Sequence, residues 1–263
     1  MRVCTYNVHL WSDAGGRTNV DAVIDVLRSL RCDVIALQEV LREGSQLDRV
    51  ADALGMRRAF GAESWLGNAL LSRHPLEAVT VTPITAGYEE GRCAVAATVA
   101  APEGRFDVCA THLDPGYEVT RTRELERLLA ALLGRAPAHL VMGDFNALRL
   151  ADYPPTAREA VRAARALHDR EEPRGDAIAR MDAAGYVDAF RLGRAGDLAG
   201  YRASLEAPLA DAVRASCWAG TRVDYVWASP ALLERYEARD ARCVDSDASD
   251  HRAVCIDFER VTA

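Results

Sequence analysis

Apolar runs of strand length recur along this chain, and five of them begin or end at a short polar string. The strings are TYN at 5–7, LQEV at 37–40, THL at 111–113, GDFN at 143–146 and SDH at 249–251. Each sets an acid, an amide or an imidazole where a buried strand would meet solvent, and strand ends are where open α/β architectures collect their chemistry. Oxygen ligands, two histidines and no cysteine cluster point to a hard cation such as Mg²⁺, with Mn²⁺ able to substitute, and to a phosphate ester.

The segments between the strings alternate in type. Thr18 and Asn19 followed by Val20, Val23, Ile24, Leu27 and Leu30 read as a capped amphipathic helix, and 33–40 as a buried strand, so the chain opens strand, helix, strand. Residues 45–54 give a second helix stopped by Gly55. From 57 to 113 the pattern becomes short Val, Thr, Ala and Leu runs between Gly and Pro, with strands near 67–72, 77–82, 92–99 and 105–111, mainly antiparallel. Leu125, Leu128, Leu129 and Leu132 place a helix over 120–133, and 139–142 is a short strand delivering GDFN. Residues 149–176 differ: Pro154 and Pro155 lead into a helix over 157–172 with charge around most of its surface. This segment reads as an insertion or lid over the site face, a plain solvated helix being the alternative. A short helix over 176–184 and strands near 213–218, 222–228, 236–244 and 251–258 finish the chain. With no dividing linker, one α/β domain over 1–263 is expected, built of two packed sheets flanked by helices.

Composition excludes several classes. No apolar run approaches the length that spans a bilayer, and the start lacks the charged and apolar regions of a secretory leader, so a cytoplasmic protein without stable membrane association is expected. The seven cysteines are scattered singly without a CxxC pair, which fits buried thiols in a reducing compartment rather than a disulfide framework or a zinc site. A net charge of −7 removes the case for coating nucleic acid by charge alone. All 32 basic residues are arginine, so arginine must contact any phosphate.

Individually the polar residues keep two readings each. Glu39 ends a buried run and needs a partner, which a metal or an arginine supplies. Asp144 and Asn146 fall on the same side of an extended segment, where an acid and an amide can orient water and hold a phosphate oxygen, or simply form an Asx turn. Asp250 and His251 point to opposite sides, which suits one to a metal and the other to a proton. Asp224, inside an apolar strand, is the best carboxylate to hold the second ring nitrogen of His251. His112 and Asn7 are each either a structural hydrogen-bonder or part of a site, and Asn68 and Arg92, at strand starts, are candidates for meeting a phosphate. Trp11 and Trp218 flank the motifs, either stacking on a substrate or packing in the core.

The strings TYN, LQEV, THL, GDFN, RVDY and SDH, in that order from Thr5 to His251, resemble the endonuclease/exonuclease/phosphatase superfamily of deoxyribonuclease-I-like phosphoesterases. The resemblance implies a four-layer α/β/β/α sandwich of two mixed, mostly antiparallel sheets. It implies Glu39 as the principal Mg²⁺ ligand with Asn7 and Asp250 close to the metal or its waters. Asp144 would orient the attacking water and Asn146 would steady it and a phosphoryl oxygen. His251, paired with Asp224, would act as base or transition-state stabiliser, and His112 would assist the leaving oxygen. Departures from the family fall at His9, where many relatives carry an aspartate and which here becomes a candidate phosphate donor, and at Asn68, where some relatives use a glutamate to brace the THL histidine. Arg92 falls where members place a phosphate-contacting arginine. The implied activity is a Mg²⁺-dependent phosphodiesterase of nucleic acid or a nucleotide-like ester. The alternatives are an inositol-phosphate phosphatase or sphingomyelinase-like hydrolase, and a non-catalytic binding module on the same fold.

Overall fold

The strands predicted by the apolar runs form two sheets in a computed structural model that describes residues 1–13, 15–87, 91–167, 170–210 and 215–261. The strands are β1 (Arg2–Asn7), β2 (Val34–Leu41), β3 (Arg57–Ala62), β4 (Leu66–Ser72), β5 (Leu76–Pro83), β6 (Cys93–Ala101), β7 (Gly104–His112), β8 (His139–Asp144), β9 (Val187–Asp188), β10 (Asp224–Ala228), β11 (Tyr236–Val244) and β12 (Ala253–Arg260). One sheet runs β11-β12-β1-β2-β4-β3 and the other β5-β6-β7-β8-β10-β9. Pairing is antiparallel except at the centre of each sheet, where β1 lies parallel to β2 and β7 parallel to β8.

Central strands are apolar on both faces because both faces are covered. In β1 and β2, Val3, Val34 and Ala36 face the second sheet, while Cys4, Tyr6, Ile35 and Leu37 face α1 (Val20–Leu30) and α2 (Gln46–Leu54). In β8, Leu140 and Met142 join the core between the sheets, and Val141 turns to α3 (Glu118–Leu132) and α5 (Asp176–Ala183), while the insertion helix α4 (Pro155–Leu167) packs Val161 in a separate small cluster. The result is the expected helix, sheet, sheet, helix order. Further short helices, α6 (Ala189–Ala195), α7 (Leu198–Ser204) and α8 (Pro230–Leu233), add Phe190, Leu192, Tyr201 and Leu232 to the inter-sheet core.

This topology brings the polar strings to one edge. Asn7, Glu39, His112 and Asp144 lie at or near the C-terminal ends of the two parallel pairs, with His112 opposite Asp144 in register. Asp224 opens β10, antiparallel to β8 and paired with Asp144, and His251 precedes β12, antiparallel to β1, so both start where the others end. Gly143 makes the β7–β8 approach possible: a Cβ there would sit 1.9 Å from the Thr111 carbonyl oxygen. Gly143→Ala should therefore force the two strands apart and cost about 1–3 kcal/mol, read as a fall in melting temperature of roughly 5 °C.

Some expectations are corrected. Asn19 does not cap α1; its amide instead donates to the carbonyls of Val8, Ser12 and Ala248, tying the loops behind the site together. No strand forms over 215–218, where Cys217 makes only an isolated bridge to His251, and the rest of that expected strand falls partly on 211–214, outside the described residues. The final strand begins at Ala253 rather than 251. The insertion helix spans Pro155–Leu167, and 170–172 are not helical. Strand β3 and helices α6 and α7 were not anticipated, because their short runs carry no clear period. The cysteines form no disulfide, and Cys4, Cys32, Cys93, Cys109 and Cys255 are buried. Among the described residues no helix is long and apolar enough to cross a membrane.

Candidate active site

Backbone strain concentrates at this edge. Of the seven non-glycine residues with positive φ among those described, five are His9, Leu10, Trp11, Glu39 and Asn146. At Glu39 the cause is a bulge: Leu37 pairs with Ala69 and Val40 with Gly67, so Gln38 and Glu39 together oppose Asn68. The bulge breaks the alternation that would send Gln38 and Glu39 to opposite faces. Gln38 stays buried, and Glu39 reaches the cavity.

His251 and Asp224 form the pair expected of them. His251 Nδ1 lies 2.9 Å from Asp224 Oδ2, which also accepts from Ser216 Oγ at 2.7 Å. Ser216 Oγ in turn accepts from the amides of Val223 and Asp224, fixing the start of β10. Burial alone would lower the His251 imidazole, but Asp224 and then Asp144 outweigh it and hold the ring well above its ordinary value. Nδ1 therefore carries a proton toward Asp224, and Nε2 faces Asp144 Oδ2 at 3.7 Å.

Asp144 is the centre of the arrangement. Its Oδ1 accepts from the Asn146 amide at 2.8 Å, so the Asx turn does form, and this turn leaves Oδ2 free to face Asn7 Nδ2 at 3.2 Å. Asn7 Nδ2 also donates to Glu39 Oε1 at 3.0 Å, so one amide bridges two carboxylates. Ser249 Oγ donates to the Asn7 carbonyl at 2.8 Å and joins the first and last strings. Burial, then Asp224 and Glu39, push the Asp144 carboxyl up to about 7 against the opposing pull of His251 and the Asn146 amide. Negative charge is in excess here, the condition a divalent cation relieves. Glu39, Asp144 and Asp250 are an all-oxygen set suited to a hard cation, so these carboxylates fit Mg²⁺, whereas Asn7 turns its Nδ2 to Glu39 and Asp144 and its Oδ1 to the His9 amide. Donor atoms of Asp144, Asp224 and His251 also lie within 4.8 Å of one another. Two of these are already bonded to each other, and a cation there would break the His251–Asp224 pair; the Glu39 side is the better seat.

His112 sits opposite. Its Nδ1 lies 3.1 Å from Arg92 Nη1, and a guanidinium only donates, so Nδ1 accepts and the proton belongs on Nε2. Burial, then Arg92, His251 and Arg170, hold this ring well below its ordinary value, hence neutral. Nε2 faces Asp144 Oδ2 at 3.6 Å; Asn146 Nδ2, which donates to the Leu113 carbonyl, lies 3.0 Å from Nε2, an approach of two donors rather than a hydrogen bond. Glu124 Oε2 accepts from the Asp114 amide at 2.7 Å and fixes the turn after THL. Asn68 does not brace His112 or line the cavity; it is buried and donates to the Cys93 carbonyl, and Arg92 does the bracing. His9 is not among the residues lining the cavity, though its Nδ1 lies 3.8 Å from Oδ1 of Asp250, which is.

These groups surround a cavity of about 340 Å³. Glu39, Asp144, Asp250 and His251 line it, as do Arg92 and, from the insertion, Arg165 and Arg170. Trp65 and Trp218, 49% and 59% exposed, also line it, whereas Trp11 is core. Sequence reasoning missed Ser216, Trp65, Arg165 and Arg170. Ser216 carries no signal of its own. The two arginines were hidden among 30 others, and only their place on the cavity without a carboxylate ion pair among the described residues sets them apart.

The sequence profile of the endonuclease/exonuclease/phosphatase family matches residues 4–251. No curated protein matches the sequence. Solved structures are similar at low identity. An endonuclease/exonuclease/phosphatase from Beutenbergia cavernae is 21% identical with a TM-score of 0.73, over 99% of this chain and 71% of that one. An AP endonuclease from Archaeoglobus fulgidus is 20% identical with a TM-score of 0.67, over 98% and 99%. The human Nocturnin catalytic domain with bound sulfate anion is 18% identical with a TM-score of 0.68, over 99% and 94%. These likenesses establish the fold, and the profile, running from β1 to the final polar string, establishes descent: the chain belongs to the endonuclease/exonuclease/phosphatase family of metal-dependent phosphoester hydrolases.

Proposed function

We propose that this protein is a Mg²⁺-dependent phosphodiesterase acting on nucleic acid or a nucleotide-like ester. One observation carries the reading. A buried His–Asp pair, a carboxylate set and a second, neutral imidazole converge on a single cavity, and each answers a different demand of phosphodiester hydrolysis. The bound cation would supply positive charge to the nonbridging oxygens and the leaving group. Asp144 orients the attacking water and takes its proton, and Asn146 holds the water and a phosphoryl oxygen. His251, kept charged by Asp224, donates from Nε2 to the oxygen on which charge accumulates. His112, its Nδ1 occupied by Arg92, presents Nε2–H to the departing oxygen. Glu39 and Asp250 would hold the cation, with Asn7 orienting Glu39 through its amide, and Ala164, Arg165 and Arg170 of the insertion wall the cavity.

Two exposed tryptophans on the cavity support a planar base in the substrate, since base–aromatic stacking contributes about 1–3 kcal/mol per base. A structural neighbour that is an AP endonuclease agrees with a nucleic acid. The seven free cysteines support a reducing, cytoplasmic setting. The test is the purified protein with Mg²⁺ or Mn²⁺ against DNA, RNA, nucleotides, inositol phosphates and sphingomyelin, with Glu39→Ala as the blank. Cleavage confined to the nucleic acid and nucleotide members is expected. Cleavage of lipid or inositol phosphate alone would replace the substrate class, and silence across the panel without metal-dependent stabilisation would leave a binding module.

A further inference from the structure

We propose that Arg165 and Arg170, together with Arg92, form a subsite for a second phosphate, and that the preferred substrate is a small nucleotide-like diester bearing a terminal phosphomonoester. This deepens the reading above and rests on it. The three guanidinium groups line the same cavity as the carboxylates. Among the described residues none of the three is ion-paired with a carboxylate, although neighbouring arginines are: Arg121 with Glu118, Arg162 with Glu172 and Arg174 with Asp176. Backbone carbonyls anchor the two on the insertion instead. Arg165 Nε donates to the Glu171 carbonyl at 2.8 Å, Arg170 Nη1 to the Pro115 carbonyl at 2.5 Å, and the Arg170 amide to the Arg165 carbonyl at 2.9 Å. These contacts fix each side chain through one donor and leave the rest of the fork for a ligand. Burial, then Arg121 and Arg170, lower the Arg165 guanidinium and outweigh the opposing pull of Glu118 and Glu171.

A single scissile diester carries one negative charge, and His112, His251, Asn146 and the cation already address it. Three more positive groups exceed that need. A phosphomonoester brings a charge of about −1.5 to −2 and three acceptor oxygens, which match paired guanidinium forks. A cavity of about 340 Å³ walled by the insertion takes a nucleotide-sized ligand, at the lower end of small-ligand pockets.

The test is calorimetric and needs no turnover. In Mg²⁺, thymidine 3′,5′-bisphosphate should bind the wild-type protein at least about tenfold more tightly than thymidine 5′-monophosphate, a gap of roughly 1.4 kcal/mol. In the double variant Arg165→Gln/Arg170→Gln the gap should close to within about twofold, and in Arg165→Lys/Arg170→Lys, which keeps the charge, part of it should survive. Melting curves check that each variant folds, and the single Arg170→Gln variant serves if the double one does not. Equal affinity for the two nucleotides in the wild type, or an undiminished gap in the folded glutamine variant, would overturn the proposal. Loss of the phosphodiesterase reading would appear separately, as silence in the substrate panel.

Discussion

His251→Ala should lower turnover by about 10³-fold, equivalent to roughly 4 kcal/mol of transition-state stabilisation, while the protein remains folded. The ring is the one imidazole in the cavity kept charged, by Asp224 at 2.9 Å and by Asp144. Truncation removes that charge from the point where the phosphoryl oxygens gain theirs. Asp224→Asn keeps the shape of the pair but loses the charge that orients and protonates the ring, so a smaller loss of about 10–100-fold is expected. The pH dependence of stability separates these effects. His251 is raised on folding, so its contribution is fully present below its unfolded value of about 6.5 and is lost as pH rises through the higher folded value. Asp224→Asn should therefore destabilise the protein most on the acid side of neutrality, and a uniform effect from pH 5 to 9 would count against the charged pair. Rates within about threefold of wild type in His251→Ala would remove the ring from the chemistry.

Arg222→Ala should cost about 3–5 kcal/mol of stability, or on the order of 10 °C in melting temperature, far more than a surface change. Arg222 is fully buried, donating to Asp152 Oδ2 at 2.8 Å and Asp188 Oδ2 at 2.7 Å, with its guanidinium 4.3 Å from the Tyr225 ring centroid. Arg191 donates to the other oxygen of Asp152, so two arginines balance two aspartates. Burial would raise the Asp188 carboxyl, but Arg222 first and then Arg149 and Arg191 hold it below its ordinary value. Deleting Arg222 leaves Asp188 buried without its main counter-charge. The network also links Asp152, at the root of the insertion, to the start of β10 two residues before Asp224, so activity should fall together with stability. Thermal denaturation checks this, and a loss below about 1 kcal/mol would mean that water or Arg191 compensates.

Much of this was legible in the sequence because strand ends are where periodicity stops. Val34-Ile35-Ala36-Leu37 announced a buried strand, and Glu39 had to be explained at its end. Pairing Asp224 with His251 followed from the cost of an unpaired acid among Val223, Tyr225 and Val226. What failed had local causes. Asn68 was a candidate for meeting a phosphate, but alternation along β4 puts it on the same side as Leu70, facing the second sheet, where it donates to the Cys93 carbonyl. Trp11 and Trp218 were indistinguishable in sequence, and only three successive left-handed residues and the bridge at Cys217 send one to the core and the other to the cavity. Arg165 and Arg170 emerge only when ion pairs can be seen in space.

Hydrolysis of a substrate-neutral diester, bis(4-nitrophenyl) phosphate, by metal-stripped protein bears most directly on the active-site assignment. The rate should be at background in EDTA, return on addition of Mg²⁺ or Mn²⁺, and stay near background in Glu39→Gln at the same metal concentration. Turnover that persists in EDTA, or that survives Glu39→Gln within a few-fold of wild type, would contradict a metal-dependent phosphodiesterase centred on Glu39, Asp144 and His251.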